Sequence, residues 1–236
     1  MADAPSRHPG ELLDAGPVCL RRQCVVDAAG IAGAIATSLS ELRTWMPWAT
    51  DKVSDVDYQR RRLEHRHSAW ELESEFSYVI VDDEEQVLGV MALNDRGTPG
   101  TLEVGYWLRS DHWGRGLATA CVGALTREGL TLPGVTRLEI HCDEANLRSA
   151  AIPRRLGCRL DRIEPAEIRA LGKSGGTWFG SFRPEPLGAS NGVRLSSERS
   201  TRPGSGPAAG RRGSPWHPLV HGGRLAPGGG IRRVPR

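Results

Sequence analysis

The run Trp113-Gly114-Arg115-Gly116-Leu117-Ala118 has residue types and spacing suited to holding an anion. Its two glycines remove Cβ atoms at the point where backbone amides open a helix. The first helical N–H groups lack internal partners. Together with the positive end of the helix dipole, they can hold a pyrophosphate without a cationic side chain. A plain tight connection uses the same turn, so other fingerprints decide. No Lys-Ser or Lys-Thr follows the glycines, which excludes a P-loop. A dinucleotide fold would place this turn after the first strand of an alternating βαβ series and follow it with an acidic ribose-binding residue. Ala118 suits such a fold, but the preceding strand is not the first of that kind of series.

Other chemistry-bearing residues are less organised. His65 and His67 are two apart and would sit on different helix faces, a poor metal pair. Cys19, Cys24, Cys121, Cys142 and Cys158 form no C-x-x-C pair, which argues for reduced thiols without a catalytic role. No metal is expected.

The elements that must position the glycine turn follow from periodicity. Before it, Leu102, Val104, Tyr106 and Leu108 alternate with Glu103, Gly105 and Trp107 as in a two-faced strand. After it, Leu117, Cys121, Ala124 and Leu125 recur on one helical face. Upstream, residues 18–22 read as a strand, 28–44 as a helix with Asp27 at its cap, and 55–72 as a second, densely charged helix. Residues 76–81 and 87–93 form a hairpin around Asp82-Asp83-Glu84-Glu85-Gln86. Downstream, 137–142 is a fifth strand, Asn146 caps a helix that Pro153 would bend, and 158–163 is a sixth strand. Residues 177–183 make a weak seventh strand because Gly180 and Ser181 interrupt it. The expected class is α+β.

The formal charge of +3 conceals a division. Residues 188–236 carry nine arginines against one acid, Glu198, hence +8, which leaves −5 on the rest. This Gly-, Pro-, Ser- and Arg-rich segment has no helical or strand period and should be disordered. It reads either as an arm for nucleic-acid phosphates or as the product of read-through or a shifted frame. The expected division is a flexible N-terminus over 1–16, a domain over 17–187 and a basic tail over 188–236. With no signal-like run at the start and no stretch long enough to span a bilayer, a cytoplasmic protein without membrane contact is expected, a monomer or homodimer.

The turn also resembles the acetyl-CoA-binding segment of the GCN5-related N-acetyltransferases (GNAT), and within them the RimJ/RimL-like branch that acetylates ribosomal-protein N-termini. That pattern is Gln or Arg, two residues, Gly, one residue, then Gly or Ala. Here Trp113 departs from it at the first position, while Gly116 and Ala118 match. Gly105-Tyr106-Trp107-Leu108 is similar to the same branch, as are Asn146-Leu147-Arg148-Ser149 and Leu156-Gly157-Cys158.

The resemblance covers residues 18–183. It implies a three-layer α/β/α fold whose mixed, mostly antiparallel sheet splays between its fourth and fifth strands. Acetyl-CoA would lie in the splay as co-substrate. Its pantetheine would pair beside Leu108, and the amides of Gly114, Arg115, Gly116, Leu117, Ala118 and Thr119 would hold its pyrophosphate. Asn146 would lie at the same site, and Arg115 and Arg109 could meet phosphate charge.

Acetyl transfer by direct attack needs a neutral amine, an oxyanion donor and an acid for the thiolate. On this reading Glu103 is the candidate base, with Glu139 and His141 in reserve. The Leu108 N–H serves the oxyanion, and Ser149 is the candidate acid. Trp45 and Trp48, otherwise core residues, would shape the acceptor pocket. The acceptor is a protein N-terminal amine or a small-molecule amine. A non-catalytic acyl-CoA-binding regulatory module is the other reading.

Overall fold

The computed structural model describes residues 7–184. The chain divides into Met1–Ala189 and Ser190–Arg236, so the basic tail and the boundary at 187 lie outside the described residues. The strands are β1 (Leu12–Asp14), β2 (Cys19–Arg22), β3 (Glu75–Val81), β4 (Val87–Asp95), β5 (Thr101–Leu108), β6 (Arg137–Asp143), β7 (Arg159–Pro165) and β8 (Gly176–Phe182). The helices are α1 (Ala28–Trp45), α2 (Val56–Glu71), α3 (Leu117–Gly129) and α4 (Leu147–Arg155). The sheet order is β1-β2-β3-β4-β5-β6-β8-β7, with β5 and β6 parallel and every other neighbouring pair antiparallel. The expected fourth and fifth strands are therefore β5 and β6.

Register assigns the two faces of the sheet. Met91 lies opposite Tyr106 and Leu93 opposite Val104, and these side chains join Cys121, Leu125 and Leu138 in the main core beside α3. On the other face Val90 meets Trp107, Ala92 meets Gly105, and Asn94 meets Glu103, under α1 and α2. Helices on both faces let the sheet bury both sets of alternating side chains, which gives three layers.

Residues 7–16, expected to be flexible, are packed instead. Leu12–Asp14 pairs with β2, Tyr78 Oη donates to the Gly10 carbonyl at 2.8 Å, and Glu128 accepts from the Gly10 amide at 2.7 Å. Three residues are too few to show a strand period.

β8, expected to be weak, is held on both edges. It bonds to β6 on one side and β7 on the other, and Trp178 within it is fully buried. Gly180, which weakens its sequence pattern, is required by that packing: a Cβ there would collide with the Trp178 ring. The bilayer expectation also needs correction, since Val25–Trp45 is long and apolar enough by composition to cross a membrane. In the fold, its Ile31, Ala32, Ala34, Ile35 and Leu42 are buried within the domain.

Candidate active site in the sheet splay

Pairing of β5 with β6 stops at Glu103, opposite Glu139. The Arg109 amide donates to the Leu88 carbonyl at 2.7 Å. By the alternation of an antiparallel ladder, the N–H and C=O groups of Tyr106 and Leu108 therefore face away from β4, toward the gap. One of them is taken, since Trp113 Nε1 donates to the Leu108 carbonyl at 2.9 Å. Trp113 thus straps the glycine turn onto the end of β5, with the Arg148 guanidinium over its ring at 5.1 Å.

At the same end of the gap, Gly114 and Gly116 have φ of +78° and +79°. Nothing lies within 4 Å of where their Cβ atoms would be, so these glycines are needed for backbone conformation. The first intrahelical bond of α3 runs from Ala120 N–H to the Gly116 carbonyl. Among the described residues no acceptor meets the amides of Gly116, Leu117, Ala118 or Thr119. Arg115 donates to the Asp111 carbonyl at 3.1 Å. Arg109 is spent on the Asp111 carboxylate at 2.6 Å. That bond, with a second from His112, holds the Asp111 carboxyl down to about 2.

Beneath the gap, on the α1/α2 side, lies a cavity of about 390 Å³. On the sheet its wall includes the facing pair Ala92 and Gly105, neither of which has a bulky side chain. Trp45, Trp48 and Trp107 wall it, with the Trp48 and Trp107 rings 6.3 Å apart. Glu103 lines it, its carboxylate 2.7 Å from Arg96 Nε and 3.8 Å from His141 Nδ1. His141 Nε2 lies 2.7 Å from Glu139. Burial pushes the Glu139 carboxyl up, but the His141 bond and Arg137 outweigh it and hold it below the usual range.

Across the gap Asn146 Oδ1 caps α4, accepting from the Ser149 amide at 3.1 Å. Ser149 Oγ is 3.0 Å from Tyr106 Oη. Burial raises the Tyr106 phenol to about 12 despite the Ser149 bond, so it stays protonated. Cys142, also at the cavity, is pushed up to about 11 by burial and remains a thiol.

The structure therefore gathers Glu103, Ser149, Asn146 and the β5 edge around one gap, with the glycine turn held at the β5 end by Trp113. Tyr106 joins them through its hydroxyl, although in the sequence it reads as one apolar position of an alternating strand. Its signal was a hydroxyl on the inward face, within a strand whose partner leaves it.

The family model for the acetyltransferase (GNAT) domain matches residues 18–159. The chain belongs to the GNAT family. Its GNAT fold is shared with ribosomal-protein-S5-alanine acetyltransferase from Vibrio fischeri, at 19% identity and TM-score 0.68 over 74% of this chain and 97% of that one. Mycobacterium smegmatis RimJ in complex with a CoA disulfide gives 21% identity and TM-score 0.67, over 77% and 92%. The microcin C7 self-immunity acetyltransferase MccE, in complex with acetyl-CoA and AMP, gives 22% and 0.64, over 71% and 93%. Among curated proteins none matches the sequence. At these identities the structural likeness establishes the fold, and the GNAT assignment itself makes the protein an acyltransferase.

Proposed function

We propose that this GNAT protein transfers the acetyl group of acetyl-CoA to a primary amine by direct attack within a ternary complex. The observation that carries the reading is the parting of β5 from β6 past Glu103, beside a helix N-terminus with open amides. A pantetheine arm can add to the free edge at Tyr106 and Leu108 as a strand would. The amides of Gly114 to Thr119 then hold the pyrophosphate, with Asn146 across the gap.

In the reaction the amine nitrogen attacks the thioester carbonyl from the cavity side. The Leu108 N–H stabilises the oxyanion. Glu103 takes the amine proton, through water where the distance requires it. The C–S bond breaks, and the Tyr106 and Ser149 hydroxyls supply the proton to the thiolate. Cys142 stays protonated, which favours direct transfer over an acyl-cysteine intermediate.

An α-amine, with pKa about 8, needs far less deprotonation at neutral pH than a lysine amine at about 10.4. Together with the relatives named for ribosomal-protein acetylation, this supports a protein N-terminus as acceptor. The test is a screen of N-terminal peptides and small amines with acetyl-CoA, alongside CoA calorimetry. Acetylation of any of these amines supports the enzyme reading. CoA binding without turnover of any amine would establish a regulatory module instead.

A further inference from the structure

The floor of the acceptor cavity carries more positive charge than its neighbours neutralise. Arg62 and Arg66 stand one turn apart on α2 and both line it, as do Arg96 and Lys173; the lining acids are Glu103 and Asp143. Glu103 is engaged by Arg96. Asp143 is turned to the loop before β8, accepting from the Ser174 amide at 3.1 Å and from Ser174 Oγ at 2.8 Å, and from the Ala145 amide at 2.9 Å. Arg66 is bonded to Glu75 and Ser77. Arg62 makes no ion pair among the described residues; its one bond is to Gln59 Oε1 at 3.5 Å. Burial lowers the Arg66 guanidinium, against the pull of Glu75, and Arg62 lowers it further by repulsion.

Gln23 belongs to the same lining. Gln23 is 7% exposed and donates through Nε2 to the Tyr78 carbonyl at 3.2 Å. This fixes the amide orientation and leaves its buried Oε1 without a hydrogen-bond partner among the described residues. That oxygen has almost no accessible surface, so recognition of an occupant falls to the guanidiniums, and one without an ion pair calls for an occupant that brings a negative charge.

We propose that the acceptor is a primary amine carrying an anionic group, carboxylate or phosphate, within a few bonds of its nitrogen, recognised by Arg62 and Arg66. The inference rests on the reading of this cavity as the acceptor site. It narrows the acceptor to amino-acid-like or phosphorylated amines and to peptides with an acidic residue beside the N-terminus. It disfavours neutral and polycationic amines.

Binding of acetylated product analogues tests this without requiring turnover. Calorimetry on the CoA-saturated protein would compare N-acetylglycine with N-acetylglycinamide, and N-acetyl-O-phosphoethanolamine with N-acetylethanolamine. The charged member of at least one pair should bind roughly tenfold tighter at low salt. The gap should narrow in high salt and close in Arg62→Gln, while Arg62→Lys keeps part of it and CoA affinity holds in both. The pair that shows the gap tells carboxylate from phosphate. Equal binding within both pairs, no binding by any analogue at millimolar concentration, or a preference untouched by Arg62→Gln would each overturn the proposal. Failure to acetylate any amine would instead remove the transferase reading and leave this binding result as it stands.

Discussion

The Tyr106 hydroxyl donates to the Ser149 carbonyl at 3.2 Å across the gap between β5 and α4. That carbonyl is open because Pro153, four residues on, has no N–H to bond it. A proline inside a nine-residue helix would ordinarily leave an unsatisfied group. Here it creates the acceptor that anchors the phenol beside Ser149 Oγ.

Replacing Tyr106 by Phe should therefore act on chemistry and on packing. We expect kcat to fall about 100-fold, the range of a lost general acid, with acetyl-CoA KM nearly unchanged. Stability should drop by about 1 kcal/mol for the lost bond. Ser149→Ala should give a smaller loss of kcat, because the phenol keeps the Ser149 carbonyl. Single-turnover kinetics on both variants checks this, and full activity in Tyr106→Phe would leave the role to Ser149 or solvent.

Gly116→Asp should abolish acetyl-CoA binding, since it sets a carboxylate among the amides proposed for the pyrophosphate. Gly116→Ala separates charge from conformation: at φ +79° it carries a left-handed penalty of about 1 kcal/mol and should retain measurable affinity. Calorimetry on the folded variants decides, and unchanged affinity in Gly116→Asp would end the assignment of the turn.

Glu103→Gln should lower the acetylation rate about 10- to 100-fold near pH 6. The deficit should shrink above pH about 8, where an α-amine is already neutral. Acetyl-CoA affinity should hold. An unaltered pH-rate profile would shift the proton transfer to Glu139 or His141.

Filling the cavity tests where the acceptor enters. A Cβ on Gly105 meets only Asn94 Nδ2, at 3.4 Å, so Gly105→Val should fold while its methyls occupy the cavity beside Ala92. Acceptor kcat/KM should fall at least about tenfold, a cost in line with obstructing a close fit. CoA binding should be spared; its loss together with acceptor activity would place the cofactor deeper than proposed.

Acid should loosen the β6 side of the gap. Burial pushes Glu139, Asp143 and Asp161 up, but their bonds and cationic neighbours hold all three below their ordinary values. Carboxylates depressed by folding contribute stability that is full above their unfolded pKa of about 4 and lost as pH falls through the folded values. The melting temperature should drop below pH about 4. Glu139→Gln should melt lower than wild type at pH 7 with a shallower acid slope, measured by thermal denaturation across pH.

Period and turn chemistry made most of the frame legible from the residues alone. The alternation of 102–108 announced β5, the glycines with the apolar face of 117–125 announced α3, and Asn146 announced α4, because local backbone preference and one-sided burial imprint themselves on short windows of sequence. Ser149 and Glu103 were singled out through the resemblance, and both line the cavity at the gap.

Relations between distant windows were decided only in three dimensions. β8 slots between β6 and β7 and needs its glycine because Trp178 covers it. β1 holds through pairing with β2, too short to carry a pattern. Tyr106 reads as one more inward residue until Pro153 and the splay set its hydroxyl against Ser149. The unneutralised Arg62 reads as one charge in a solvated helix until the cavity shows which acids are already engaged. Charge compensation and the occupancy of a carbonyl depend on partners tens of residues away, and no local period records them.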